Sequence, residues 1–119
     1  MSSTVFITNV EPTKNYSEAT TFGAIRAITS GNYTIMQTSR LIREVAEALA
    51  YSTPNDFLLI SGSATIAGMC LYMWMEKHRL CRMLLWDQRT YTLRVVTRET
   101  VRREIEEALD RIQTRKDSA

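Results

Sequence analysis

Phe57-Leu58-Leu59-Ile60, Ser61-Gly62-Ser63, the run from Ala64 to about His78, and Met83-Leu84-Leu85-Trp86 follow one another in the chain, and their reading decides the fold. Four consecutive apolar residues at each end, bounded by polar or turn residues, are the pattern of strands covered on both faces. The serine-glycine turn between them leads into a stretch with helical length and no proline. Two strands joined through a helix lie parallel, because the crossover is right-handed almost without exception. A central parallel β-α-β unit is therefore expected, in the middle of a mixed sheet.

Downstream, Asp87-Gln88-Arg89-Thr90 turns the chain into Tyr91-Thr92-Leu93-Arg94-Val95-Val96, a β-hairpin with the preceding strand. A last helix from Arg98 to about Lys116 carries Val101, Ile105, Ala108 and Ile112 at steps of four, three and four. Glu99 with Arg103, Arg102 with Glu106 and Glu107 with Arg111 stand one turn apart on its charged side. Residues 114–119 are expected to be a disordered tail. Upstream, Val5-Phe6-Ile7 reads as a first strand, Tyr16-Ser17-Glu18 as one helical turn, and Gly23 to Thr29 as a second strand closed by Ser30-Gly31-Asn32. Thr38 caps an amphipathic helix with Leu41, Ile42, Val45, Ala48 and Leu49 on its apolar side, ended by Ser52-Thr53-Pro54. The expected fold is one small α/β domain over residues 1–119: a mixed sheet of about five strands, a central parallel β-α-β unit, a β-hairpin and a C-terminal helix.

Composition narrows the function classes. With 119 residues, 45% of them apolar and 24% charged, the chain supports one core and no second domain. A formal charge of +2 and alternating signs give no strong nucleic-acid signal and no pull toward an anionic membrane. The start Met1-Ser2-Ser3-Thr4-Val5 has no secretory pattern, and the longest apolar-rich run, Ala64 to Met75, is too short to span a bilayer. The reading is a cytoplasmic protein. Cys70 and Cys81 lack metal-ligand spacing apart from His78 three residues before Cys81, so a reduced thiol pair is expected, with no metal and no cofactor.

The best-placed chemistry is Ser61-Gly62-Ser63-Ala64-Thr65, where a strand, a glycine turn and a helix start bring backbone N–H groups and the hydroxyls of Ser61, Ser63 and Thr65 to the positive end of a helix. A phosphate or another anion could dock there. Capping of the helix is the competing explanation for the same residues, and neither GxGxxG nor GxxxxGK[ST] is present. In open α/β sheets ligands gather beyond the carboxyl ends of parallel strands. If the first strand is parallel to the central pair, Thr8, Asn9, Gly62, Trp86 and Asp87 join that rim, although Asp87 also suits a structural role in its turn. Lys14, Tyr16 and Arg26 could add charge and stacking. The sole histidine, His78, falls at the far end of the second helix with Lys77 and Arg79, where cations meet helix C-terminal carbonyls. No nucleophile-base pair is formed, and catalytic residues remain unassigned.

That second helix has no polar face. Met69, Tyr72, Met73 and Trp74 cannot all point at a single sheet from one helix, so part of this surface is expected at a homo-oligomer interface, a symmetric dimer first.

Asn15-Tyr16-Ser17, Phe22-Gly23, Thr29-Ser30-Gly31, Leu58-Leu59-Ile60-Ser61-Gly62, and Leu84-Leu85-Trp86-Asp87 with Tyr91 and Arg94 together resemble small uncharacterised bacteriophage-encoded α/β proteins, over most of residues 5–97. The resemblance implies a viral accessory protein in the host cytoplasm and carries no activity with it. The opening Val5-Phe6-Ile7-Thr8-Asn9 also resembles the start of viral anti-CRISPR ring nucleases, which cleave cyclic oligoadenylates as dimers. That family relies on a central histidine, and His78 stands elsewhere, so only nucleotide binding is implied. Two functions follow: a non-enzymatic homo-oligomeric module acting on a host protein, or a protein that binds a nucleotide or cyclic oligonucleotide at the Ser61-Gly62-Ser63 helix start, sequestering or hydrolysing it.

Overall fold

The computed structural model describes residues 2–31 and 37–118. Asn32, the end of the turn expected after the second strand, lies outside them. The elements run β1 (Thr4–Val10), a 3-10 turn (Ser17–Thr21), β2 (Ala24–Ser30), α1 (Thr38–Leu49), β3 (Phe57–Leu59), α2 (Ala64–His78), β4 (Leu80–Trp86), β5 (Tyr91–Thr97) and α3 (Arg98–Ser118). One five-stranded sheet has the order β2-β1-β3-β4-β5, with β1 to β4 parallel and β5 antiparallel at the edge. The expected mixed sheet, central β3-α2-β4 unit and terminal hairpin are all present.

Two-residue alternation divides the strands between two cores. Phe6, Ile28, Leu58 and Cys81 face α1 and α2, meeting Leu41, Val45, Leu49, Ile66, Cys70 and Trp74. Val5, Ile7, Phe57, Leu59 and Leu84 face the other way, against Tyr16, Ala19 and Phe22 of the β1–β2 connection and against Tyr91. The crossovers thus cover both faces: β1 to β2 passes behind the sheet, β2 to β3 and β3 to β4 in front. The direction of travel reverses between β1 and β3, and this is where the order makes a crevice.

The ends of the elements are tied by side chains. The Asp56 carboxylate accepts from the backbone N–H of Thr4 and of Thr53, both at 2.8 Å, which fixes the entry to β1 and β3 together. Lys77 Nζ donates to the carbonyls of Leu49, Ala50 and Ser52, satisfying the C-terminal carbonyls of α1. His78 Nε2 meets Ser52 Oγ at 2.7 Å and its ring leans on Trp74. The cations at the end of α2 were expected to serve their own helix; Lys77 and His78 serve its neighbour, because α1 and α2 end side by side. Arg79 closes α2 in the left-handed conformation, φ 63°.

Within one chain, helix α2 places the four residues expected at an interface in different surroundings. Trp74 is fully buried, edge-on to Phe6, and its Nε1 donates to the Leu80 carbonyl at 3.1 Å. Met69 and Met73 are half-buried and pack on the same core, and of the four residues only Tyr72 is open to solvent, at 66%. The sheet does not act alone: α1 lies alongside and takes a second flank of α2.

Helix α3 departs furthest from a packed layer. None of its residues is buried, and it meets the body only near its start, where Thr97 Oγ1 accepts from the Thr100 N–H at 3.2 Å. Its 21 residues extend about 31 Å. The molecule measures 54 × 33 × 28 Å with a radius of gyration of 16.7 Å, against about 13.5 Å for a compact chain of this length. The helix runs to Ser118, through the segment expected to be disordered, and Gln113 with Asp117 and Ser118 with Thr114 continue its i,i+4 bonding. The expected pairs Glu99–Arg103, Arg102–Glu106 and Glu107–Arg111 are not formed: Arg40–Glu44 is the ion pair found within 4 Å among the described residues. Long exposed side chains gain little from such contacts.

Candidate functional site at the carboxyl edge of the parallel strands

The crevice between β1 and β3 is where an open α/β sheet of this order receives ligands. Here it is filled by the protein's own polar side chains. Thr8 Oγ1 donates to the Ser61 carbonyl at 2.6 Å and accepts from the Ser61 N–H at 2.9 Å, a two-bond clasp across the crevice. Ser61 Oγ meets the Tyr16 hydroxyl at 2.8 Å, and that hydroxyl accepts from the Glu11 N–H at 2.8 Å. On the β2 side, Thr29 Oγ1 lies 2.8 Å from both the Thr8 carbonyl and Asn9 Oδ1, while Asn9 Nδ2 donates to the Gly31 carbonyl at 3.2 Å. Thr8, Asn9, Tyr16, Thr29 and Ser61 are all buried.

The expected site residues thus separate. Thr8, Asn9, Ser61 and Gly62 do converge, as the parallel arrangement of β1 and β3 requires, but Thr8 bonds to Ser61, Ser61 Oγ to Tyr16, and the Asn9 side chain to Thr29 and Gly31. Gly62 has φ +81°, and a Cβ there would sit 2.8 Å from Asn9 Cβ, so the turn is shaped around Asn9. Ser63 is the N-cap of α2, its Oγ accepting from the Ile66 N–H at 3.5 Å, which is the capping role weighed from the sequence. Thr65 is exposed on the first turn. Asp87 caps its own hairpin: Oδ1 accepts from the N–H groups of Thr90 (2.9 Å) and Arg89 (3.1 Å), and Oδ2 from Thr92 Oγ1 (3.1 Å). Those backbone bonds, Thr90 first, hold its carboxyl below the usual range. Arg26 is away from this rim, stacked on Tyr51 with 4.4 Å from guanidinium to ring centre.

Among the described residues, an open recess lies beside the filled crevice on the rim. Thr13, Lys14, Asn15, Ser17, Glu18 and Trp86 line a cleft of about 390 Å³ between the β1–β2 connection and the end of β4. Trp86 is 41% exposed and tilts against Tyr91, ring centres 4.9 Å apart. Lys14 Nζ stands 5.6 Å from the Tyr16 ring centre. Burial pushes the Tyr91 hydroxyl above its ordinary pKa, reinforced by Tyr16 and Glu18, and this hydroxyl has no hydrogen-bond partner among the described residues. Sequence reasoning missed Tyr91, Thr29 and the central place of Tyr16. Only Tyr16 gave a signal, as the one aromatic in the polar stretch from Glu11 to Thr21.

No group of three or more His, Cys, Asp or Glu among the described residues could hold a metal ion. Cys70 and Cys81 are free and buried in the core under α2, and burial pushes both thiols up to about 12. No described helix is long and apolar enough to cross a membrane.

No curated protein and no solved structure matches the chain, so the likeness of Val5–Asn9 to ring nucleases rests on those five residues alone. A family model described as phage Pam3 gp32-like protein matches residues 3–100. The match takes in the whole sheet, both packed helices and the filled crevice, and it ends as α3 begins. The chain therefore belongs to the phage Pam3 gp32-like family, a family of phage proteins.

Proposed function

We propose that this chain is a non-enzymatic accessory module of a phage, working as a homo-oligomer in the host cytoplasm and acting on a protein partner rather than on a substrate. The observation that carries the reading is α3, a helix with no buried residue whose Val101, Ile105, Leu109 and Ile112 are 40, 53, 59 and 48% exposed. Apolar residues held one above another on a solvated helix lower their free energy only when another surface covers them. The filled crevice supports the same reading, since the usual ligand position of such a sheet is taken by Thr8, Ser61 and Tyr16. Native mass spectrometry of protein purified from cells tests it, with multiples of the 13.7 kDa chain and no retained small molecule expected. A species that stays monomeric at about 100 μM contradicts it.

A second reading is favoured by the cleft beside Trp86. An exposed indole and Lys14 suit a base and a phosphate, with the Tyr91 hydroxyl behind them lacking a partner among the described residues and the first-turn N–H groups of α2 on the same rim. A nucleotide retained in the native spectrum, and lost in Trp86→Ala, would move the function to that cleft.

A further inference from the structure

We propose that α3 is the dimerisation element and that it pairs antiparallel with α3 of a second copy of this chain. The inference rests on the homo-oligomeric reading above and specifies its interface. Val101, Ile105, Ala108 and Ile112 occupy successive d, a, d and a positions of a heptad pattern, a seam two heptads long. Arg98 and Arg115 stand at the next a and d positions on either side and end it. A seam bounded by arginines has one antiparallel register that covers all four apolar residues. Ile105 then lies in a layer with the partner's Ala108, and Val101 with the partner's Ile112. A shift by one heptad would set Arg98 or Arg115 into the core.

Charge selects the direction. In this register Glu104 at g faces the partner's Arg111 at g, and the symmetry of the pair makes the contact twice. The other flank sets the aliphatic stem of Arg102 beside the partner's Leu109. A parallel pair would match g with the following e instead, placing Glu104 against the partner's Leu109 and Arg111 against the partner's Lys116. It would also stack Ala108 on its own copy in one of only four layers. The antiparallel arrangement turns two repulsions into two attractions.

The body of the molecule extends the seam. Where α3 leaves the sheet, Leu71, Tyr72 and Met75 of α2 join Val96 and Val101 around a mostly apolar groove of about 480 Å³, with Glu76 on its edge. In the antiparallel register the last turns of the partner's α3 pass alongside this groove. The exposed side of Tyr72 then gains a neighbour. Two heptads alone make a short interface, and the groove supplies further apolar area where the helix ends.

Opposite charge reversals at two positions test the arrangement. Glu104→Arg sets arginine against the partner's Arg111, and Arg111→Glu sets glutamate against the partner's Glu104. Each variant alone should weaken dimerisation by about tenfold or more in sedimentation velocity at low salt. Mixing the two in equal amounts should restore it as a heterodimer in which every g pair is opposite in sign. Neither site contributes to the buried core, so both variants keep the wild-type circular dichroism of the sheet domain. A parallel pair predicts otherwise: no loss in Glu104→Arg and tighter association in Arg111→Glu. That result, or a wild-type dimer indifferent to both changes, overturns the inference while leaving the homo-oligomeric reading intact; a wild-type monomer at about 100 μM ends both.

Discussion

A single methyl group at Gly62 should cost this protein about 3 to 6 kcal/mol. The backbone there has φ +81°, where an L residue is strained by roughly 1 to 2 kcal/mol. The new Cβ would lie 2.8 Å from both Asn9 Cβ and Asn9 Nδ2, closer than carbon atoms approach, and Cβ of a buried strand residue cannot swing away. Forcing it aside adds about 1 to 3 kcal/mol of overpacking and endangers the Asn9–Gly31 hydrogen bond, worth about 1 kcal/mol. Gly31 is the internal control: its φ is +69°, but no atom of the described residues lies within 4 Å of its missing Cβ, so Gly31→Ala should show mainly the backbone strain. In thermal melts followed by circular dichroism, Gly62→Ala should fall by about 10 to 20 °C and Gly31→Ala by about 4 °C. Gly62→Val should fall further. Replacing Asn9 by glycine should recover about 2 kcal/mol of the Gly62→Ala loss in a double-mutant cycle. Equal melting temperatures for the two alanine variants, or a cycle without coupling, would refute the claim that Asn9 shapes this turn.

Tyr16→Phe should cost about 1 to 2 kcal/mol, since it deprives Ser61 Oγ and the Glu11 N–H of their shared partner. The β1–β2 connection should then be cut sooner by protease than in wild type, and an unchanged cutting rate would count against the latch. Burial, and then the Lys77 charge, lower the His78 pKa below its ordinary 6.5, with Asp56 opposing them. The unfolded chain therefore takes up the proton first, so stability holds above pH 6.5 and declines as pH falls below it. Urea midpoints between pH 8 and 5.5 should show this decline, and His78→Gln should flatten it; equal slopes in both proteins would be the contrary result. Cys70 and Cys81, with thiols pushed up to about 12, should resist a disulfide reagent at pH 8 in the native protein and react together once it is unfolded. Rapid labelling of either before unfolding would contradict that.

The sheet was legible because its pattern is strong. Two apolar quartets around a serine-glycine turn required a parallel pair, whereas the direction of β1 stayed conditional in the sequence and is set parallel by its pairing with β3. What failed to show in the sequence depends on where elements end in space. The helical spacing of α2 says that Met69, Tyr72, Met73 and Trp74 surround its axis, but not that α1 will cover the side that the sheet leaves open. The carboxyl rim was located from topology, whereas its closure was not. Whether Thr8 and Ser61 are offered to a ligand or bound to each other turns on a register between residues 53 positions apart. For α3 the spacing gave the seam, and the strand before it gave no hint that the helix would point away from the domain.

That outward course makes α3 a thermodynamic reporter. A helix supported by the domain only near its start stands largely on local propensity, and at 21 residues that leaves it near the midpoint between helix and coil in water. If α3 pairs with its own kind as proposed, its order depends on the concentration of the protein. Dilution should melt α3 while the sheet stays intact, giving a helical signal that fades with a dissociation constant and a β signal that does not. A fusion placed after Ser118 would shift that balance by crowding the helix end, so the choice of which terminus to tag is itself an experimental variable.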